Sequence, residues 1–346
     1  MKAFARFACF AAMLMAAALL IGHASWAQPQ TDSSILKLDP GLDNIVPESA
    51  KVEKAAGGFA FTEGPVWSHN GYLLFSDIPN NVVNKLASDG KVSVFVRKSG
   101  YSGNDALPLP KPFNLEVPAI GPYMTGSNGL TLDKAGDLIL CEHGNRQVER
   151  IGKDGKRTVV ADKYEGKRLN SPNDVVVKSD GAIYFTDPPF GLEATHATSE
   201  LPFAGVYRVK GGTIEAVIKD LAGPNGIAFS PDEKYLYVDN SNVKTYMRYE
   251  VKADGTVTNG KLFYDMSKAP GDGVPDGMKV DTQGNIYGTG PGGVWIMTPE
   301  GKVLGRIKLP EVPANLAWGG SDYKTLYLTA RRSVYEIRLK IAGIRP

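Results

Sequence analysis

One short pattern returns six times along the chain and constrains the fold more than any other feature. Its copies begin at Glu63, Asn128, Asn173, Asn225, Asp276 and Asn315. Each opens on a carboxylate or carboxamide residue and runs into a largely apolar segment, as in Asn128-Gly129-Leu130-Thr131-Leu132 and Asp276-Gly277-Met278-Lys279-Val280. A polar turn such as Asn70-Gly71, Asp180-Gly181 or Gln283-Gly284 then leads to a second apolar run, for example Ile183-Tyr184-Phe185-Thr186 or Thr325-Leu326-Tyr327-Leu328. Turns of this chemistry join antiparallel strands. The 39 glycines and 23 prolines punctuate many short elements, which speaks for a β-rich fold over a helical bundle.

The copies start about 40 to 65 residues apart, the spacing of four-stranded propeller blades. Six copies predict an all-β, six-bladed β-propeller over residues 45–342, with residues 28–44 as an N-terminal tail or a strand that closes the ring. Two independent sandwiches would not explain one motif running through both halves. The longest interval lies between Val96 and Thr125 and holds Pro108, Pro110, Pro112, Pro118 and Pro122. An insertion of this kind is either a binding lid or a surface excursion.

Residues 1–27 are excluded from the fold. Lys2 and Arg6 precede an apolar run from Phe10 to Ile21, and Ser25-Trp26-Ala27 has the small-x-small order of a cleavage site. This order predicts a signal peptide and a periplasmic or secreted mature chain starting at Gln28. The apolar run is short for a membrane anchor, which needs about 20 residues. Removing the leader takes away Lys2, Arg6 and Cys9, so basic and acidic residues become equal in number and Cys141 is the one cysteine left. That balance favours neither nucleic acid nor an anionic membrane as a partner, and no intramolecular disulfide can form. A monomer or a small homo-oligomer fits such a chain.

In a propeller the first strand of each blade lines the central channel, so equivalent positions form a ring. The six first positions are all oxygen donors. Two carboxylates among carboxamides suit a hard divalent cation, Ca²⁺ best of all, with Mg²⁺, Mn²⁺ or Zn²⁺ as alternatives. Asn-Gly and Asp-Gly are also ordinary turn formers. Six in phase, each entering an apolar strand, argue for a ring.

The motifs Thr62-Glu63-Gly64-Pro65-Val66-Trp67, Ser171-Pro172-Asn173-Asp174, Pro224-Asn225-Gly226-Ile227 and Pro275-Asp276-Gly277-Met278-Lys279-Val280-Asp281 resemble the senescence-marker-protein / gluconolactonase / luciferin-regenerating-enzyme family of six-bladed propellers. The resemblance implies a divalent metal, usually calcium, bound by Glu63, Asn173, Asn225 and Asp276. The stretch His143-Gly144-Asn145-Arg146 resembles the bacterial gluconolactonase-like branch. Ser171 stands where the animal branch has an arginine that contacts sugar, which leaves Asn128, His143 or Arg146 as substitutes for substrate binding.

The implied reaction is hydrolysis of a sugar lactone, in which a metal polarises the carbonyl and a base takes a proton from water. The resemblance makes Asp276 the first candidate for that base. His143, at the end of a second strand and expected to titrate near neutrality, is the alternative, with a second role as a packing or orienting residue. The chain has no G-x-S-x-G, H-E-x-x-H or C-x-x-C motif. Two other readings are a non-catalytic periplasmic sugar-binding propeller with a structural calcium and a related phosphotriester or fluorophosphate hydrolase. Trp67, Tyr101, Phe190 and Trp318 are either sugar-stacking or inter-blade aromatics.

Overall fold

The structure is a computed structural model that describes residues 34–106 and 121–346. The expected leader and residues 107–120 of the Pro-rich insertion lie outside the described residues.

Six antiparallel sheets form the blades of a β-propeller. Their channel-lining strands are Thr62–Trp67, Ser127–Leu132, Val175–Val177, Pro224–Phe229, Met278–Val280 and Asn315–Gly319. Second strands follow at Leu73–Asp77, Leu138–Glu142, Ile183–Asp187, Tyr235–Asn240, Ile286–Gly290 and Thr325–Ala330. Burial falls from axis to rim: Ser127–Leu132 is buried throughout, whereas the outer strand Val92–Arg97 is mostly exposed. The inner strands are packed on both faces, so their apolar residues come in runs instead of alternating.

An apolar cluster fills each of the six inter-blade interfaces. Val66, Leu74, Leu130 and Leu140 join blades one and two, and Leu73, Phe75, Ala317 and Val334 join blades six and one. The other four lie between the successive blades from two to six. A repeated aromatic contact adds to this packing. Tyr184 meets Phe229 edge-on at 5.0 Å, Tyr287 meets Trp318 edge-on at 5.0 Å, and Tyr327 stacks on Trp67 at 5.4 Å. In each pair a second-strand tyrosine reaches the inner strand of the next blade, a contact worth about 0.5–1.5 kcal/mol beyond its burial. Trp67 and Trp318 are therefore blade-packing residues.

The ring closes through the N-terminal region. Glu53–Gly57 pairs with Ser333–Arg338 and completes blade six. Ile35–Lys37, within the expected tail, adds a fifth strand to blade five by pairing with Val303–Ile307. The closing strand thus lies further along the chain than residues 28–44. The intervening turn contributes Leu42, Ile45 and Val46 to the core between blades five and six.

Candidate active site

The site is built at the starting ends of the inner strands. In blades one, two and four the register slips there, between Glu63 and Val66, Ser127 and Leu130, and Pro224 and Ile227. A bulge re-aims a side chain that a regular strand would turn into a neighbouring face. Gly64 makes the first one possible. Its φ is +51°, and a Cβ there would lie 2.0 Å from the Asn128 carbonyl oxygen. Second-strand hydroxyls latch the ring residues by their backbones: Ser76 donates to the Asn128 carbonyl at 2.8 Å and Thr186 to that of Asn225 at 2.7 Å. Gly129 N donates to the Asn173 carbonyl at 2.7 Å.

Three of the four expected ligands meet directly. Asp276 accepts hydrogen bonds from Asn225 and from the Glu63 carboxyl. Glu63 Oε2 accepts from Asn315 Nδ2 at 3.0 Å and from Gly64 N. Burial first, then the charge of Asp174, pushes Asp276 up to about 7, while the hydrogen bonds from Asn225 and Glu63 work against the rise. Burial, Asp276 and Asp174 hold Glu63 well above the usual carboxylate range. Glu63, Asn173 and Asn225 are buried, and Asp276 is partly exposed, so Asp276 is the member of the pair that reaches solvent.

Three charged residues that the sequence reading did not single out join this axis. Asp174 directly follows Asn173, and its carboxylate lies 3.7 Å from the Lys279 ammonium. Asp239 is the next-to-last residue of the second strand of blade four, fully buried, with both carboxylate oxygens lacking a hydrogen-bond partner. Burial and then Asp276 raise its carboxyl strongly. Asp174 and Lys279 sit inside motifs already quoted, where alternation along the strand could have placed them on the channel. Asp239 carried no such signal, because its strand reads as apolar.

His143 is buried to 1% and its Nε2 lies 3.2 Å from Asn128 Nδ2. Burial pushes it down to about 4, opposed in part by a hydrogen bond with the Met124 backbone, far below the near-neutral value expected of it. The ring is thus neutral at pH 7, and Nε2 accepts from Asn128. The Asn128 Oδ1 is left buried without a partner. Arg146 Nε donates to the carbonyls of Leu169 and Asn170 at 2.8 and 3.1 Å, and its Nη1 lies 3.3 Å from Glu200. Most of its guanidinium is therefore spent on holding local loops. Ser171 donates to the Pro188 carbonyl at 2.6 Å and accepts from Gly191 N at 2.8 Å. Gly191 in turn packs so closely on His143 that a Cβ there would fall 2.5 Å from the ring. Tyr101 packs against Gly103 and Gly144 and donates to Asp105.

A cavity of about 900 Å³ opens at the other end of the inner strands, bordered by Trp67, Leu132, Phe229, Lys279, Trp318 and Arg345. None of Glu63, Asn173, Asn225 and Asp276 borders it.

The donor set fits an oxygen-seeking dication. Several buried carboxyl groups share one small volume and raise one another's pKa, and the Asp239 oxygens lack donors. Among the described residues no group of three or more His, Cys, Asp or Glu is arranged to hold a metal alone. An ion at this axis would rest on carboxamide oxygens as well as carboxylates, a set that suits hard ions over zinc.

Residues 61–332 match the family model described as SMP-30/Gluconolactonase/LRE-like region. A gluconolactonase of Zymomonas mobilis is 36% identical over 348 residues, covering 96% of this chain and 94% of that one. Among solved structures, a putative gluconolactonase superposes with a TM-score of 0.77 at 31% identity, over 90% of this chain and 100% of its own. The gluconolactonase XC5397 from Xanthomonas campestris superposes with a TM-score of 0.75 at 29% identity, over 88% of this chain and 95% of its own.

Proposed function

The chain belongs to the SMP-30/gluconolactonase/LRE-like family and is a lactonase, and we propose that it opens a sugar lactone to the aldonic acid with the help of a calcium ion. The observation that carries this reading is the Glu63–Asp276 carboxyl pair, bonded to Asn225 at the start of the inner strands, in a chain matching a gluconolactonase almost end to end. Glu63, Asn173, Asn225 and Asp276 would hold the ion. When bound, it supplies Lewis-acid polarisation of the lactone carbonyl and charge stabilisation as the oxyanion forms.

The protein's own groups account for the proton. A water adds to the carbonyl carbon and its proton passes to the Asp276 carboxylate. The ring C–O bond then breaks, and the same carboxyl returns the proton to the departing ring oxygen. Asp276 suits this task because it is the carboxyl of the pair that reaches solvent, where the attacking water arrives. His143, neutral and locked to Asn128, is the weaker base candidate. Its part is to fix the Asn128 amide through Nδ2, which leaves the unpartnered Oδ1 to accept a hydrogen bond from a sugar hydroxyl.

We test this with mature protein and glucono-1,5-lactone in a pH-stat, after subtracting spontaneous hydrolysis. Acid release that disappears with chelator and returns with calcium is expected. No rate above background with calcium bound would overturn the reading and leave a sugar-binding propeller. Export belongs to the same proposal. The leader pattern makes the protein periplasmic or secreted, and amino-terminal sequencing from its host should start at Gln28.

A further inference from the structure

We propose that Asn315 is a positioning residue of this site: it fixes the Glu63 carboxyl against Asp276 across the junction where the ring closes. The inference rests on reading Glu63 and Asp276 as the working pair.

Asn315 occupies the ring position of blade six, yet its side chain is spent on neighbours. Its Nδ2 donates to Glu63 Oε2 at 3.0 Å. Its Oδ1 accepts from Leu316 N at 2.8 Å and from the Lys279 ammonium at 3.5 Å. An ammonium and a backbone N–H can only donate, so the atom facing them is the oxygen. The nitrogen is thereby directed at Glu63.

The amide also presses on Gly277, the residue after Asp276. A Cβ on Gly277 would fall 2.1 Å from Asn315 Cγ and Oδ1, so only glycine admits this contact. Gly277 N in turn donates to the Ala314 carbonyl at 2.8 Å. One buried carboxamide thus touches blade five beside Asp276, donates to blade one at Glu63, and belongs to blade six. Blade six is the blade that the N-terminal strand Glu53–Gly57 completes. Lys279 extends the linkage across the channel to Asp174, 3.7 Å away. The separation of Glu63 and Asp276 is therefore set by ring closure and read out through Asn315.

The test compares Asn315→Asp and Asn315→Leu with Leu316→Ala. The Asp variant keeps the size and the acceptor for Leu316 N but cannot donate to Glu63 as a carboxylate. Leu316→Ala loosens the same strand from its core side without touching Glu63. Calcium affinity is read by titration calorimetry, and kcat and KM on glucono-1,5-lactone are read separately. Replacing a group that orients a metal ligand costs about 10- to 100-fold in affinity or activity. Both Asn315 variants should show a loss of that size in calcium affinity and in kcat, with KM within about threefold. Leu316→Ala should melt earlier but bind calcium like the wild type. The inference is overturned if the Asn315 variants stay within twofold of wild type, or if Leu316→Ala shows the same loss. A wild-type chain that binds calcium without hydrolysing the lactone sinks the lactonase reading, and calorimetry still decides Asn315. One that hydrolyses without binding calcium leaves kcat to decide it, and one that does neither overturns both.

Discussion

At the scale of single residues, the two carboxyls of the pair are separated by exposure. Glu63 is sealed beneath Asn315 and Gly64 N, while Asp276 opens to solvent. Asp276→Asn keeps an oxygen for coordination and loses basicity. It should retain most bound metal, by elemental analysis, while kcat falls about 10²- to 10⁴-fold. His143→Ala should leave kcat within a few-fold and raise KM, because it frees the Asn128 amide to rotate. A kcat loss as large as that of Asp276→Asn would return the base to His143. A third prediction concerns pH. Asp187 is fully buried, accepts from Asn170 N at 2.8 Å, and is pushed up to about 8 by burial, against the pull of the Asn170 bond and the Arg146 charge. Its folded pKa lies above the unfolded value of about 3.9, so its contribution is complete below about pH 4 and is lost as pH rises through about 8. Between about pH 5 and 7.5 the wild type should lose about 1.4 kcal/mol per pH unit more than Asp187→Asn, in urea titrations at each pH. Parallel slopes would show that Asp187 is ionised throughout that range.

At the scale of elements, the repeat was legible because each inner strand announces itself by an oxygen-donor residue before an apolar run. The bulges that aim those residues were not legible, since a register slip depends on which strand lies alongside. Asn173 and Asn315 looked equivalent in sequence. The family motif implies that the first is a ligand, while the amide of the second serves Glu63. Close backbone approach supplies a test of how tightly the strand starts are set. A Cβ on Gly129 would lie 2.6 Å from the Asn173 carbonyl oxygen and 2.7 Å from an Asp174 carboxylate oxygen. Gly129→Ala must push blades two and three apart at the site. It should cost about 1–3 kcal/mol in urea denaturation and weaken calcium binding in parallel. Unchanged calcium affinity would mean that the ring tolerates movement between those blades.

At the scale of the whole molecule, the propeller is held shut by a strand remote in sequence from the blade it completes. A chain beginning at Ala60 would lose that strand together with Leu42, Ile45 and Val46 from the core between blades five and six. Removing three buried apolar side chains at about 1.5–3 kcal/mol each should lower Tm by at least about 10 °C in scanning calorimetry. An unchanged Tm would show that the ring does not depend on its closure. The chain's own pattern determined the all-β class, the number of blades, the strands that line the channel and the oxygen donors at their starts, because these depend on local periodicity and turn chemistry. Only the tertiary structure decided how those donors are used. Asp239 joined the axis from a second strand, Asn315 was turned to Glu63 by Lys279 and Leu316 N, and burial took His143 down to about 4 and Asp276 up to about 7. Hydrogen-bond partners and desolvation come from residues far apart in the chain, and a repeat read along one strand carries no information about what the closed ring brings against it.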